Sequence, residues 1–146
     1  MTHPKEPVQS ISDLRVRYAE TDQMGVVYHA NYLVWCEIGR TDLIRQLGKP
    51  YAEFEREGVR LAVSEATIRF RGSARYDDPI RVFTTIIDVR SRSVTFAYRI
   101  VRNGDSATLV SATTVLIALD LNSRPITMPA ALREMLAGAT TSIALA

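Results

Sequence analysis

A single apolar stretch with helical spacing, residues 31–47, most constrains what this chain can fold into. Its apolar side chains recur every three or four positions, which is the repeat of an amphipathic α-helix. Asn31 is predicted to cap this helix at its start, and Gly48 with Pro50 is predicted to end it. Because the first half of the stretch is apolar on nearly every side, we expect a helix that is buried over most of its surface.

The remaining long segments are predicted to be strands. Residues 13–21 alternate apolar with charged side chains before the helix, and four segments after it are rich in Val, Ile, Thr, Phe and Tyr. Asn103-Gly104 predicts a hairpin turn in which both residues have positive φ. The four later segments are residues 60–70, 80–89, 94–101 and 107–119, and a short helix is predicted at 129–137.

This order of elements predicts an α+β fold in which one long central helix is wrapped by a five-stranded antiparallel sheet. The later strands are expected to form a meander after a connecting segment at residues 51–60. We expect a flexible N-terminal arm at 1–10, a single domain at 11–137 and a flexible C-terminal tail at 138–146. One helix cannot cover both faces of such a sheet, so the chain is predicted to form a homo-oligomer.

Composition argues against several classes of function. A formal net charge of +2 with scattered basic residues gives no basic stripe for nucleic acid. Two histidines and one cysteine leave no metal-ligand cluster, and no glycine-rich nucleotide loop occurs, so we predict neither metal nor cofactor. No apolar run is long enough for a membrane-spanning helix. Because Cys36 is the only cysteine, no internal disulfide can form, and a reducing, cytoplasmic location is expected.

The segment before the long helix carries the residues that indicate chemistry. Asp22 lies on a loop between the first strand and the helix, Gly25 follows it, and His29 and Asn31 lie near the helix start. A helix start offers backbone N–H groups without intrahelical partners and the positive end of the helix dipole. A carboxylate facing these groups can attack a polarised carbonyl, or make water attack it, which is acyl-transfer chemistry. The alternative for Asp22 is a turn former, a common role of aspartate.

The same segment resembles a family signature. Hotdog-fold acyl-CoA thioesterases of the 4-hydroxybenzoyl-CoA thioesterase and YbgC type carry matching residues at these spacings, followed by a Glu and an Arg in the helix. The resemblance covers roughly residues 13–137. It implies a hotdog-fold hydrolase that converts an acyl-CoA thioester to a carboxylic acid and free CoA, as a dimer or a dimer of dimers (a homotetramer). The matching residues are Tyr18, Asp22, Gly25, Val27, Tyr28, His29, Tyr32, Glu37 and Arg40.

The resemblance also implies roles within the site. Asp22 is the nucleophile or the general base, and the backbone N–H of His29 polarises the thioester oxygen. The His29 imidazole either orients water or the carboxylate, or only hydrogen-bonds the loop. Tyr18 either hydrogen-bonds Asp22 or packs on its strand, and Gly25 is expected to allow a close approach of strand and helix. Glu20 is expected at the strand end, facing solvent.

A second polar turn is the predicted contact for CoA. By resemblance, the turn between the third and fourth strands contacts the pantetheine arm and the nucleotide phosphates, and a solvated polar turn is the alternative. On the helix, Glu37 and Arg40 are placed at i and i+3 to pair with each other. The turn consists of Arg90, Ser91, Arg92 and Ser93, and the supporting site residues are Tyr28, Asn31, Tyr32 and Glu37.

Two rival functions share this fold. One is a thioesterase acting on acyl groups bound to acyl carrier protein, where the chemistry is the same and the docking surface differs. The other is a non-catalytic acyl-CoA-binding protein, which would not need the carboxylate of Asp22. The retention of Asp22 within its whole signature favours a hydrolase.

Overall fold

The computed structural model describes residues 8–48 and 51–141, and within them one antiparallel sheet of five strands packs against a long helix. This arrangement confirms the predicted hotdog fold. The strands are β1 (Ser10–Arg15), β2 (Arg60–Phe70), β3 (Pro79–Val89), β4 (Ser93–Arg102) and β5 (Ala107–Leu119), and the helices are α1 (Asn31–Gln46), α2 (Tyr51–Arg56) and α3 (Ala130–Gly138).

The strand order across the sheet is β1-β3-β4-β5-β2, which corrects the predicted four-strand meander. Only β3, β4 and β5 follow one another as neighbours. β2 lies at the far edge and pairs with β5, so that Arg60 faces Leu119 and Phe70 faces Val110. The chain then crosses one end of the sheet to reach β3, and Arg102 holds this crossing by donating from Nη2 to the carbonyl of Ser73 at 2.8 Å.

Helix α1 lies on the sheet over β1, β3 and β4, and its buried face carries Trp35, Cys36 and Leu43. The closest approach is at Gly39. A Cβ added there would overlap Thr84 Oγ1 and come within 3.0 Å of Val82 Cγ1, both on β3. The missing side chain therefore lets the helix sit directly on the strand.

The predicted bounds of α1 are nearly right, but two expectations about it are wrong. The N-cap position is Ala30, which makes no side-chain capping bond, and Asn31 is the first helical residue. The expectation that α1 is buried over most of its surface is also wrong for a single chain. Three apolar side chains of α1 remain 39–44% exposed, namely Leu33, Val34 and Ile38.

The first strand ends earlier than predicted. β1 stops at Arg15, opposite Pro79, and a 3-10 turn at Tyr18–Glu20 follows it. On the partner side the chain turns at Asp77, whose φ is +66°, and proline has no N–H to donate to the ladder. The alternation of apolar and charged residues thus continues to residue 21, although backbone pairing with β3 ends at Arg15.

The hairpin between β4 and β5 differs from the predicted turn. Arg102 and Ala107 are the last pair of its ladder, which leaves a four-residue loop. Within it Ser106 has positive φ, at +58°, whereas Asn103 and Gly104 do not. The Asp105 carboxylate closes the loop by accepting from the Ala107 N–H at 3.0 Å and from Arg102 Nη1 at 3.1 Å.

Strand β2 is the most exposed strand of the sheet. As an edge strand it pairs on one side only, and most of its residues are exposed on both faces. Val63 and Phe70 are each 48% exposed. Of the predicted arm and tail, residues 1–7 and 142–146 lie outside the described residues. Among the helices that are described, none has the length and apolar character needed to cross a membrane.

Candidate active site

Asp22 lies at the base of a tight turn between β1 and α1. Its N–H donates to the carbonyl of Val26 at 2.8 Å, and its own carbonyl accepts from the Gly25 N–H at 3.0 Å. Gly25 has φ +78°, a conformation that favours glycine. A Cβ on Gly25 would find its nearest neighbour, Arg75 Nη1, only at 3.8 Å. Glycine is thus needed here for backbone conformation rather than for the close approach that was predicted.

The Asp22 carboxylate uses one oxygen to hold this turn. Oδ1 accepts from the backbone N–H of Met24 at 2.9 Å, which is the turn-forming role considered as the alternative. The other oxygen, Oδ2, makes no hydrogen bond to any described residue. The side chain is only half-buried. The carboxylate is therefore fixed through one oxygen, and its second oxygen is available for chemistry.

The start of α1 leaves two backbone donors unpaired. The N–H groups of Tyr28, Asn31 and Tyr32 are hydrogen-bonded, whereas those of His29 and Ala30 find no acceptor in the described part of the chain. Both unpaired groups lie at the positive end of the helix dipole. They form a candidate binding site for a developing oxyanion.

Glu20 is a buried part of this region, which corrects the expectation that it faces solvent. It is 4% exposed, and its Oε2 accepts from the indole Nε1 of Trp35 at 2.8 Å. Its Oε1 accepts from the N–H of Arg17 at 2.8 Å. Its carbonyl accepts from the Tyr28 N–H at 2.8 Å and from Asn31 Nδ2 at 2.9 Å. The sequence signal was a tryptophan on the apolar face of α1, whose buried N–H needs an acceptor.

An aromatic cluster connects the helix start to the end of β2. The His29 ring lies edge-on to Phe70 with centroids 6.3 Å apart and tilted against Tyr28 at 4.5 Å. Phe70 in turn meets Tyr32 at 5.8 Å. The Tyr32 hydroxyl accepts from the Ala74 N–H at 3.0 Å, and burial raises the pKa of this phenol. Tyr32 thus anchors the segment that leads into β3.

Tyr18 makes neither of its two predicted contacts. Its ring is 78% exposed and packs edge-on against Tyr76, with centroids 5.8 Å apart. No hydrogen bond joins its side chain to Asp22 within residues 8–48 and 51–141. Tyr18 therefore borders the turn from outside.

The proposed pair between Glu37 and Arg40 does not form among the described residues. Glu37 is exposed on α1, whereas Arg40 is partly buried and lies beside the hydroxyl of Tyr98. Burial raises the pKa of Tyr98, and the hydrogen bond to Thr114 and the charge of Arg40 oppose that rise. The cation of Arg40 therefore contacts Tyr98 on β4.

The predicted CoA turn lies far from Asp22 in one chain. β3 begins beside the Asp22 turn, since Val27 donates to the carbonyl of Ala74 just before the strand, and it ends at the Arg90 turn. Eleven residues of strand separate the two, a distance of about 33 Å. Arg90 is also engaged locally, with Nε 2.9 Å from Asp88 Oδ2. The described chain therefore does not bring the two predicted sites together. The other predicted CoA contacts, Ser91, Arg92 and Ser93, lie in the same turn as Arg90 and are therefore equally far from Asp22.

No group of three or more His, Cys, Asp or Glu side chains in the described ranges could hold a metal ion. The buried Cys36 is the other nucleophile near α1. Burial raises the pKa of its thiol to about 12, so the reactive thiolate is not populated near neutral pH. Asp22 has a carboxylate oxygen without a hydrogen bond to the described residues, on the turn that leads to the start of α1.

Comparison with known proteins gives consistent matches over most of the chain. Residues 16–136 match the family model described as the thioesterase-like superfamily. The chain is 42% identical over 114 residues to the putative acyl-CoA thioesterase YneP of Bacillus subtilis, covering 78% of this chain and 82% of YneP. It is 33% identical over 117 residues to the acyl-CoA thioester hydrolase YbgC of Escherichia coli, covering 80% of this chain and 87% of YbgC. The crystal structure of DHNA-CoA thioesterase from Staphylococcus aureus superposes with a TM-score of 0.84 at 29% identity, covering 89% of each chain.

Proposed function

This chain belongs to the thioesterase-like superfamily, and on that premise we propose that it hydrolyses acyl-CoA thioesters to a carboxylic acid and free CoA. The names of YneP and YbgC support acyl-CoA as the substrate class. The observation that carries the proposal is the free Oδ2 of Asp22 on a turn joined to the start of α1, where two amides are unpaired. A cytoplasmic location belongs to the same proposal and is supported by the single cysteine.

In the proposed mechanism, Asp22 acts on the thioester carbon while the helix start holds the carbonyl oxygen. Either Oδ2 attacks the carbon and forms an acyl anhydride, or it removes a proton from the water that attacks. In both cases the N–H groups of His29 and Ala30 donate to the oxyanion, the carbon–sulfur bond breaks, and CoA leaves as a thiolate. In the anhydride route, a water molecule then hydrolyses the intermediate and restores the carboxylate. The His29 imidazole is positioned by Tyr28 and orients the water.

A second copy of the chain completes the proposed site. β2 has an unpaired outer edge, and two copies of β2 can pair antiparallel about a two-fold axis to continue the sheet. That pairing places the Arg60 end of one β2 beside the Phe70 end of the other. The Arg90 turn lies at the Arg60 end of its own sheet, and Phe70 touches His29. The partner's Arg90 would then lie at the same end as Asp22, so that pantetheine can span the two.

The assembly is tested by light scattering at micromolar concentration. We expect a mass of at least two chains, each of 16.3 kDa. A dimer of dimers would additionally cover the exposed face of α1. A monomer of 16.3 kDa would remove the shared site, because the Arg90 turn would then have no route to Asp22.

The catalytic role is tested by Asp22→Asn, which keeps an oxygen to accept from Met24 and removes the charge. We expect kcat for acyl-CoA hydrolysis to fall at least ~10²-fold with fold and mass unchanged. Asp120→Asn is the control for removing a turn-closing charge, and its kcat should match that of the wild type, because Asp120 closes its turn through Oδ1, to the N–H groups of Asn122 and Arg124, at the opposite end of its own sheet from Asp22. Full activity of Asp22→Asn would exclude Asp22. An inactive wild type across acyl-CoA and acyl carrier protein substrates would exclude the function.

Isotope labelling then separates the two routes. Single turnover with excess wild-type enzyme in ¹⁸O water places label in the Asp22 carboxylate if an anhydride forms and water attacks it at the Asp22 carbonyl carbon. Label found only in the product acid excludes that route and indicates attack by water on the carbonyl carbon of the acyl group. Mass spectrometry of the peptide that contains Asp22 reads out the difference.

A further inference from the structure

We propose that Glu20 is a positioning residue, which holds the Asp22 turn at a fixed distance from the unpaired amides of His29 and Ala30. The inference rests on the proposed function, since it assigns the spacing that this reaction needs. Glu20 itself does not touch the reacting atoms, because its carboxylate is turned into the core toward Trp35.

The bonds of Glu20 reach both sides of the site. Its carbonyl accepts from the backbone N–H of Tyr28, which precedes α1, and from the side chain of Asn31, which begins it. Its carboxylate binds Trp35, one turn further along the same helix. Asp22 follows Glu20 by two residues, and Thr21 between them pairs with Val27 in an isolated bridge. The turn and the helix start are thus joined through one residue rather than through the loop alone.

Burying a charged carboxylate costs free energy, so a neutral side chain could hold this turn at a lower cost if holding it were the only role of Glu20. The nearest cation is Arg17, whose Nε lies 3.5 Å from Oε1 but whose side chain is 74% exposed to solvent. Each carboxylate oxygen serves a different donor, the Trp35 indole and the Arg17 amide. Two acceptor oxygens with no donor of their own are a property of carboxylate that glutamine lacks. The amide of a glutamine would place an N–H₂ group against one of these donors.

Two variants break the carboxylate–indole contact from opposite sides. Glu20→Gln replaces one acceptor oxygen by a donor, and Trp35→Phe removes the N–H while keeping an aromatic ring against Tyr32. For each we expect kcat to fall about 10-fold or more with KM changed by less than about 2-fold, because misplacement by 1 Å can cost up to 10²-fold in rate. The double variant should be no slower than the worse single variant, since both changes break the same contact.

A control separates positioning from general loss of stability. Leu136→Ala removes a fully buried side chain of α3, away from the turn, and lowers the melting temperature. Its kcat at 25 °C should match that of the wild type as long as it is folded. If Glu20→Gln keeps wild-type kcat, or if Leu136→Ala at equal melting temperature loses kcat equally, Glu20 has no positioning role.

Nuclear magnetic resonance tests the same inference without activity. Trp35 is the only tryptophan, so ¹⁵N-labelled protein gives one indole N–H signal, which Glu20→Gln should shift. Exchange of the hydrogen-bonded amides of Asp22, Gly25 and Tyr28 should become at least about 10-fold faster in Glu20→Gln while exchange in β3 and β4 stays unchanged. Unchanged exchange at these three amides would overturn the proposal even if the wild type hydrolysed no thioester. If the wild type is inactive but exchange is faster in Glu20→Gln, then Glu20 does hold the Asp22 turn and it is the proposed reaction that is wrong.

Discussion

Replacing Gly39 by alanine is expected to destabilise the protein, although alanine is the better helix former. In an exposed helix the change would add about 1 kcal/mol of stability. Here the new Cβ would overlap Thr84 Oγ1 and meet Val82 Cγ1 at 3.0 Å, so α1 must move away from β3. Overpacking of this kind costs about 1–3 kcal/mol, and two contacts place this site near the upper end. We expect a net loss of about 1–2 kcal/mol in the free energy of unfolding.

The same geometry predicts which second change restores the loss. Thr84 is fully buried, and its Oγ1 has no hydrogen-bond partner among the described residues. Thr84→Ala removes the atom that lies closest to a Cβ at position 39, which is also an unsatisfied hydroxyl, and leaves only the contact with Val82 Cγ1. The double variant Gly39→Ala/Thr84→Ala should therefore be more stable than the sum of the two single changes predicts, by at least about 1 kcal/mol.

Urea unfolding followed by the fluorescence of Trp35, which lies on α1, measures these differences. Protein concentration is held constant across variants, because assembly shifts apparent stability. Gly104→Ala is the control, since a Cβ there meets nothing within 4 Å and its φ is not positive. A Gly39→Ala variant as stable as the wild type, or additive effects in the double variant, would refute the steric argument.

Three further outcomes are expected. The Cys36 thiol, buried and with its pKa raised to about 12, should not react with a disulfide reagent in native protein and should react fully in denaturant; rapid native labelling would contradict this. Changing Arg90 and Arg92 to Ala should raise KM for a CoA ester in a salt-dependent way and leave a short N-acetylcysteamine thioester unaffected; equal losses on both would reject a CoA contact. Asp13→Asn should lower stability slightly, because the Arg81 guanidinium holds the pKa of the Asp13 carboxyl below its usual 3.8. That difference should be constant above pH 3.8 and vanish as the pH falls through the folded-state pKa, whereas a gap that widens in acid would contradict it.

Much of the fold could be predicted from local pattern. The bounds of β2 and β5 are those predicted, because each strand is a long run of β-formers between clear breaks. α2 was missed, since six residues are too few for a helical repeat to show. The end of β1 was also missed, because it is decided by Pro79 and by the turn at Asp77, which become neighbours of β1 only in the fold.

Some features of the candidate site could likewise be predicted from the sequence, and others could not. The position of Asp22 before the helix follows from sequence order, and the turn at Gly25 follows from residue type. The burial of Glu20 could not be predicted from alternation, because its partner Trp35 reaches it across the start of α1. The separation of the Arg90 turn from Asp22 arises because the start of β3 lies near the Asp22 turn and its end leads into the Arg90 turn. The order of strands in the sheet decides this placement, and it cannot be read from local sequence pattern.

The pairing of β2 with β5 sets the order in which a nascent chain can fold. Arg60–Phe70 emerges from the ribosome long before its partner Ala107–Leu119, by about 2–10 seconds at synthesis rates of about 5–20 residues per second. During that interval both edges of β2 are unpaired, and only β1, β3 and β4 can pair with one another. The chain therefore completes its sheet late in translation, and β2 is the segment that a chaperone would have to shield until then.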